Sequence, residues 1–182
     1  MEKKKPETVF KSLRLYARLF RAEDLPQMLR LNGNHKVMEW IGPVQTEADA
    51  QAYLERILAY YPGDPGYGAF SLHLRKSGEF VGMVMLKNLD QTPEKEVGYR
   101  LLPNFWGRGF ATEISRAALE YAFWENELDQ VAAVTRPDNF RSINVIEKLG
   151  MRYKRRAHFY KTDVKYYVLT RDEWERGVDL GR

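Results

Sequence analysis

Three strand-like runs follow one another closely between residues 69 and 102. Ala69 to Leu74 is the first, Phe80 to Leu86 the second and Glu96 to Leu102 the third. The link between the first two, "RKSGE", places glycine where a tight hairpin turn needs it. Strands joined this closely form an antiparallel meander, because a parallel crossover takes a dozen residues or more. That excludes an all-parallel doubly wound fold. Upstream, Leu13 to Leu19 reads as a strand and "RAEDLPQMLRLN" as a helix, with Asp24 as cap and Pro26 in the first turn. A second helix starts at Thr46, where Thr46 and Asp49 have capping-box spacing and Ala50, Leu54, Ile57 and Leu58 form the apolar face. Residues 61–68, "YPGDPGYG", read as a loop. Downstream come a helix over Ala111 to Glu127, a short apolar strand at Val131 to Val134, and a helix over Arg141 to Leu149 ended by Gly150. Tyr153 to Phe159 and Val164 to Thr170 close the chain as a hairpin. The expected fold class is mixed α/β, with one central, mostly antiparallel sheet flanked by helices.

Composition narrows the function. The chain has 182 residues, 44% of them hydrophobic, which suits one domain over residues 1–182 with residues 1–11 as a loose N-terminal arm. It has no cysteine, so disulfides, thiolate catalysis and cysteine zinc sites are excluded. His35, His73 and His158 lack ligand spacing, so no metal is expected. No apolar stretch follows the lysines of "MEKKKPE", and no run approaches the roughly 18 apolar residues of a membrane span. The expectation is a cytoplasmic protein without a membrane partner. A net charge of +4 suits nucleic acid or an anionic cofactor equally. The densest basic run is only "KRR" at Lys154 to Arg156, and both signs mix elsewhere, so nucleic acid is not expected as a partner.

The stretch "LPNFWGRGFATE" joins the third meander strand to a helix, with Arg108 between Gly107 and Gly109. A P-loop is excluded, because no lysine follows either glycine. A dinucleotide fingerprint fits poorly. Its third glycine position holds Thr112, and Asp129 precedes the next strand instead of ending it. A tight turn and a cradle for the pyrophosphate of coenzyme A (CoA) remain. In the second reading the helix's first amides and its positive end face the anion.

A second stretch, "NFRSINVIEKLGM" from Asn139 to Met151, follows the next strand. Together the two stretches resemble the GNAT superfamily of acyl-CoA N-acyltransferases. The patterns P-x-x-W-G-x-G-x-A at Pro103 to Ala111 and N-x-x-S-x-x-x-x-E-K-x-G at Asn139 to Gly150 look most like its ribosomal-protein N-terminal-amine acetyltransferase branch. "EVGYRL" and "WIGPVQTEADAQAYL" fit as well, and the resemblance spans roughly residues 12–175. Two positions depart from the family: Asn104 stands where Gln or Arg is usual, and Ile146 where many members carry a general-acid tyrosine.

The resemblance implies acetyl-CoA as co-substrate, lying where strand Glu96–Leu102 splays from Val131–Val134. Pantetheine would pair with backbone at Leu101 and Leu102, in the manner of an added strand. A strand amide would polarise the thioester carbonyl. The pyrophosphate would take the stretch Trp106, Gly107, Arg108, Gly109, Phe110, Ala111 and Thr112. Asn139 and Ser142 would meet pantetheine, and Arg141 or Lys148 the 3′-phosphate. Glu96 is the candidate base, as the acid inside that strand, and Ser142 the candidate acid toward the leaving thiolate. Glu39, Trp40, Tyr67 and Phe70 would wall the pocket of an amine acceptor, with core packing as their alternative reading. Glu113 reads as a complement to the helix dipole. A protein N-terminal α-amine is the implied acceptor. An aminoglycoside, a polyamine or an amino acid is the alternative, favoured if acids such as Glu39, Asp64 and Glu96 gather in one pocket. A CoA-binding protein without catalysis stays open, and so does a homodimer, since dimers are common in this branch.

Overall fold

The computed structural model describes residues 8–179. Eight strands form one sheet in the order β1-β2-β3-β4-β5-β6-β8-β7. They are β1 (Thr8–Lys11), β2 (Leu15–Leu19), β3 (Gly68–Leu74), β4 (Phe80–Asn88), β5 (Lys95–Leu101), β6 (Gln130–Thr135), β7 (Arg152–Phe159) and β8 (Thr162–Thr170). Every neighbouring pair is antiparallel except β5 and β6. The helices are α1 (Leu25–Asn32), α2 (His35–Met38), α3 (Glu47–Tyr60), α4 (Phe110–Glu120), α5 (Phe140–Lys148) and α6 (Arg171–Asp179).

The expected meander is β3-β4-β5, each run within two residues of its reading. β3 is buried along almost its whole length, as suits a central strand with both faces covered. The capping box of α3 forms in both directions: Asp49 N–H donates to Thr46 Oγ1 at 3.2 Å, and Thr46 N–H to Asp49 Oδ2 at 3.0 Å. Ala50, Leu54 and Ile57 turn inward as the spacing requires. A fully buried leucine or isoleucine side chain contributes on the order of 1.5–3 kcal/mol, which anchors this helix more firmly than its cap does.

Four expectations need correction. Residues 8–11 of the supposed loose arm form β1, paired with β2 through Phe10↔Ala17; residues 1–7 lie outside the described residues. Phe10 is buried against Phe70, which holds the strand in place. Asp24 does not cap α1. Its carboxylate takes two hydrogen bonds from the buried Arg18 guanidinium, at 2.6 and 2.8 Å, and one from the Arg21 amide. The helix read over Ala111 to Glu127 ends at Glu120 and continues as a π-helical turn over Tyr121–Glu125. Finally, α6 follows β8, anchored by Trp174 packed against Phe123.

Candidate active site

The sheet opens between its two parallel strands. β5 meets β6 at a single ladder position among the described residues, Glu96↔Ala132, whereas β4 pairs with β5 along seven. Downstream of Glu96 the strands diverge. Alternation places Glu96, Gly98 and Arg100 on one face of β5, and Val97, Tyr99 and Leu101 on the other. Arg100 donates to Asn32 of α1 at 3.0 Å, and Tyr99 meets Ser142 of α5, so the helices of the two faces flank the opening.

The glycine loop leads from the open end of β5 into α4. Gly107 and Gly109 have φ of +71° and +78°, a left-handed backbone that L side chains avoid. Nothing lies within 4 Å of where a side chain at Gly107 would sit. The first bond of α4 is Glu113 N–H to Gly109 C=O at 3.0 Å. The amides of Phe110, Ala111 and Thr112 therefore have no partner inside the helix, and they face its N-terminal end. The Phe110 side chain is buried in the core, and Arg108 is exposed beside the loop. Trp106 is a brace: its indole N–H donates to Leu101 C=O at 2.7 Å, and Arg141 lies over its ring.

Glu113 does more than complement the dipole. It accepts from Ser12 Oγ, from the Arg14 amide and from Arg14 Nε, each at 2.7 Å. Arg14 in turn donates to Arg108 C=O at 2.9 Å. The β1–β2 turn is thereby tied to the glycine loop. Burial pushes the Glu113 carboxyl up, but the Ser12 and Arg14 bonds outweigh it and hold the carboxyl below its usual range.

At α5, Asn139 caps the helix by accepting from the Ser142 amide at 3.2 Å. Burial raises the Tyr99 phenol above its ordinary range, opposed by Ser142. Ile146 is buried apolar core.

Around the start of β5, acids and lysines on its two faces form one chain of contacts: Glu96 and Lys87 on the face of Arg100, Lys95 and Asp64 on the other. Glu96 is buried, and its Oε1 accepts from Lys87 Nζ at 2.8 Å and from the Tyr160 hydroxyl. Lys87 also reaches Asn88 C=O, while Lys95 reaches Asn88 Oδ1 at 2.8 Å and pairs with Asp64. Tyr60 donates to Asp64 at 2.7 Å. Burial pulls the Lys87 ammonium down, but Glu96 and Tyr160 outweigh it and keep it charged. Burial, with Glu96 behind it, pushes the Tyr160 phenol up to about 12.

Three expected placements change. Phe70 is fully buried in the core. Leu102 is already engaged: its amide donates to Val81 C=O at 2.9 Å, and its carbonyl accepts from the Phe105 amide at 3.0 Å. The Leu101 carbonyl is held by Trp106, so the strand edge facing the opening is formed by Tyr99 and the Leu101 amide. Asp64 and Glu96 are each paired with a lysine, and Glu39 is exposed at the end of α2 beside half-buried Trp40. Tyr67 lies under the Lys95 ammonium, 3.8 Å from its ring centre. Lys87, Tyr160, Arg14 and Tyr99 went unread in the sequence. The one visible sign was "FYKTD", a hairpin turn with neither glycine nor asparagine.

Comparison with known proteins agrees with this architecture. The family model described as an acetyltransferase (GNAT) domain matches residues 14–152. The chain is 30% identical over 171 residues to "Uncharacterized N-acetyltransferase YnaD" of Bacillus subtilis, covering 88% of this chain and 96% of that one. It is 32% identical over 165 residues to "Putative ribosomal N-acetyltransferase YdaF" of the same organism, covering 85% and 88%. Among solved structures, Mycobacterium smegmatis RimJ in complex with CoA-disulfide superposes with a TM-score of 0.78 at 21% identity, over 97% of this chain and 96% of that one.

Proposed function

Since the chain belongs to the GNAT acetyltransferase domain family and is an N-acetyltransferase by fold and relatives, we propose that its acceptor is a protein or peptide N-terminal α-amine. The observation that carries this reading is the pairing of Glu96 with Lys87 and Asp64 with Lys95. With each acid paired to a lysine, and Arg100 on the face of Glu96, neither carboxylate offers an unpaired charge to draw in a polycation. An α-amine suits such a site, because it needs no counter-charge to supply its reactive form. At pH 7 about one α-amine in ten is already neutral, against about one lysine-type amine in 2,500. The name of the YdaF relative points the same way.

Acetyl-CoA supplies an activated acetyl group, and the residues present fit it. Gly107 and Gly109 leave the backbone open, the amides of Phe110 to Thr112 offer donors to a pyrophosphate, and Arg108 and Arg141 stand by as exposed cations. The Tyr99–Leu101 edge offers pantetheine a strand to pair with. Glu96 removes the acceptor's proton, directly or through a water. Ser142, with the Tyr99 phenol behind it, donates a proton to the departing sulfur in place of the tyrosine absent at Ile146. We assign the protein to the cytoplasm.

Mass spectrometry after incubation with acetyl-CoA tests the acceptor class. A peptide with a free N-terminus should gain one acetyl group at its α-amine, and the same peptide with a blocked N-terminus and an internal lysine should gain none. Turnover of polyamines or aminoglycosides with peptides untouched would overturn the reading.

A further inference from the structure

We propose that Tyr160, at the tip of the β7–β8 hairpin, is a positioning residue that aims the Glu96 carboxylate at the acceptor amine. The proposal rests on Glu96 acting as base.

The phenol's bonding is fully accounted for. Its oxygen accepts from Lys87 Nζ at 2.6 Å and from the Asp90 amide at 2.8 Å. A tyrosine oxygen has two acceptor positions and one hydrogen. Both acceptor positions are filled, so the hydrogen is directed to Glu96 Oε1. Lys87 donates to the same Oε1 at 2.8 Å. Among the described residues no hydrogen bond reaches Oε2. One oxygen is thus held by two donors, and the other is left to take a proton.

The hairpin departs from ordinary turn chemistry to make this contact. Tyr160 and Lys161 have φ of +53° and +58°, the left-handed pair of a tight turn that favours Asn-Gly. Asp90, which receives the Tyr160 amide at 2.9 Å, sits at +50°. Three non-glycine residues in that region persist only where surrounding contacts over-determine them, as functional sites tend to do. The contact also joins segments from opposite sides of the opening, since β5 ends one half of the sheet order and the β7–β8 hairpin belongs to the other, beyond β6. A turn needed only for its shape would use Asn-Gly and forgo the phenol.

A double-mutant cycle on the full chain separates positioning from packing. Tyr160→Phe should lower kcat about ten-fold, as expected for a weakened general base, with the KM for acetyl-CoA unchanged. In a Glu96→Gln background the same substitution should cost nothing further. In a Ser142→Ala background the ten-fold loss should persist. Thermal melts of each variant, with Lys161→Gly as a control that alters the same turn without touching the phenol, exclude loss of folding as the cause. Full turnover by Tyr160→Phe, or an undiminished loss in the Glu96→Gln background, would overturn the proposal. Full turnover by Glu96→Gln alone would show instead that the base assignment is wrong.

Discussion

The two sides of the opened sheet are built from different materials. The side proposed for CoA is made of backbone: two left-handed glycines, three first-turn amides of α4 and the edge of β5. The side proposed for the acceptor is made of side chains, with Glu96, Lys87 and Tyr160 bonded to one another. A backbone site tolerates many side chains but hardly any change of φ. A side-chain network is the reverse: single atoms matter, and the strand beneath is unchanged by an isosteric swap. Substitutions should therefore separate cleanly, with acetyl-CoA affinity moving on one side and turnover on the other.

The largest expected effect is on the acceptor side. Glu96→Gln keeps the shape and both donors' reach but removes the base, and kcat should fall by about 10²- to 10⁴-fold. Isothermal titration should show acetyl-CoA binding within about two-fold of the parent. A matching fall in affinity would mean that the two sides are not separable. The mirror-image change is Gly109→Val. A β-branched residue at φ +78° is strained by about 1–3 kcal/mol, and relief of that strain rotates the first amides of α4. Acetyl-CoA should bind about ten-fold or more weakly, with kcat at saturating acetyl-CoA nearly retained.

The same division explains what could be read from the sequence. Glycines, caps and alternation act locally, so the meander, the α3 capping box, the Gly107–Gly109 loop and the Asn139 cap were legible as spacing. Glu96 was found because it is an acid inside a legible strand. Tyr160 was not, because its meaning depends on a contact bridging 64 residues, and no local rule links "FYKTD" to "KEVGY"; Lys87 stands opposite Glu96 only in the exact β4–β5 register. Phe70 was misassigned for a related reason. Alternation identifies the faces of a strand but not which face is covered, and both faces of β3 are buried. β1 and α6 were missed because a four-residue edge strand and a highly charged terminal helix take their order from packing, through Phe10 and Trp174, and not from local pattern.

A smaller effect tests whether the backbone side has any side-chain support. Glu113 is the bracket that ties the β1–β2 turn to the glycine loop, and its carboxyl is held below the ordinary value of 4.5. A depressed folded-state value contributes stability that is present above the unfolded value and is lost as pH falls through the folded one. Stability from this bracket should therefore decline below about pH 4.5. Glu113→Gln should lower stability at pH 7 by about 1 kcal/mol, a modest figure because Arg14 is half exposed and solvent screens the pair. Melting temperatures of parent and variant should converge as the pH is lowered from 5 to 3. A constant difference across that range would remove the charge from the explanation and leave only shape.

The smallest expected effect runs opposite in sign. Lys161 is exposed, and its φ of +58° is strained for any residue with a Cβ. Glycine relieves that strain, worth on the order of 1 kcal/mol, against a larger loss of chain entropy on folding, which offsets part of the gain. Lys161→Gly should accordingly raise the melting temperature by about 1–3 °C for a chain of this size. Turnover should stay the same, because Tyr160 keeps all its partners. If stability rises and activity falls, the strain itself is what presses the phenol onto Glu96, and the acceptor side then depends on backbone as much as the CoA side does. If both hold as expected, the left-handed turn is only the route by which Tyr160 arrives, and the chemistry lies in the phenol.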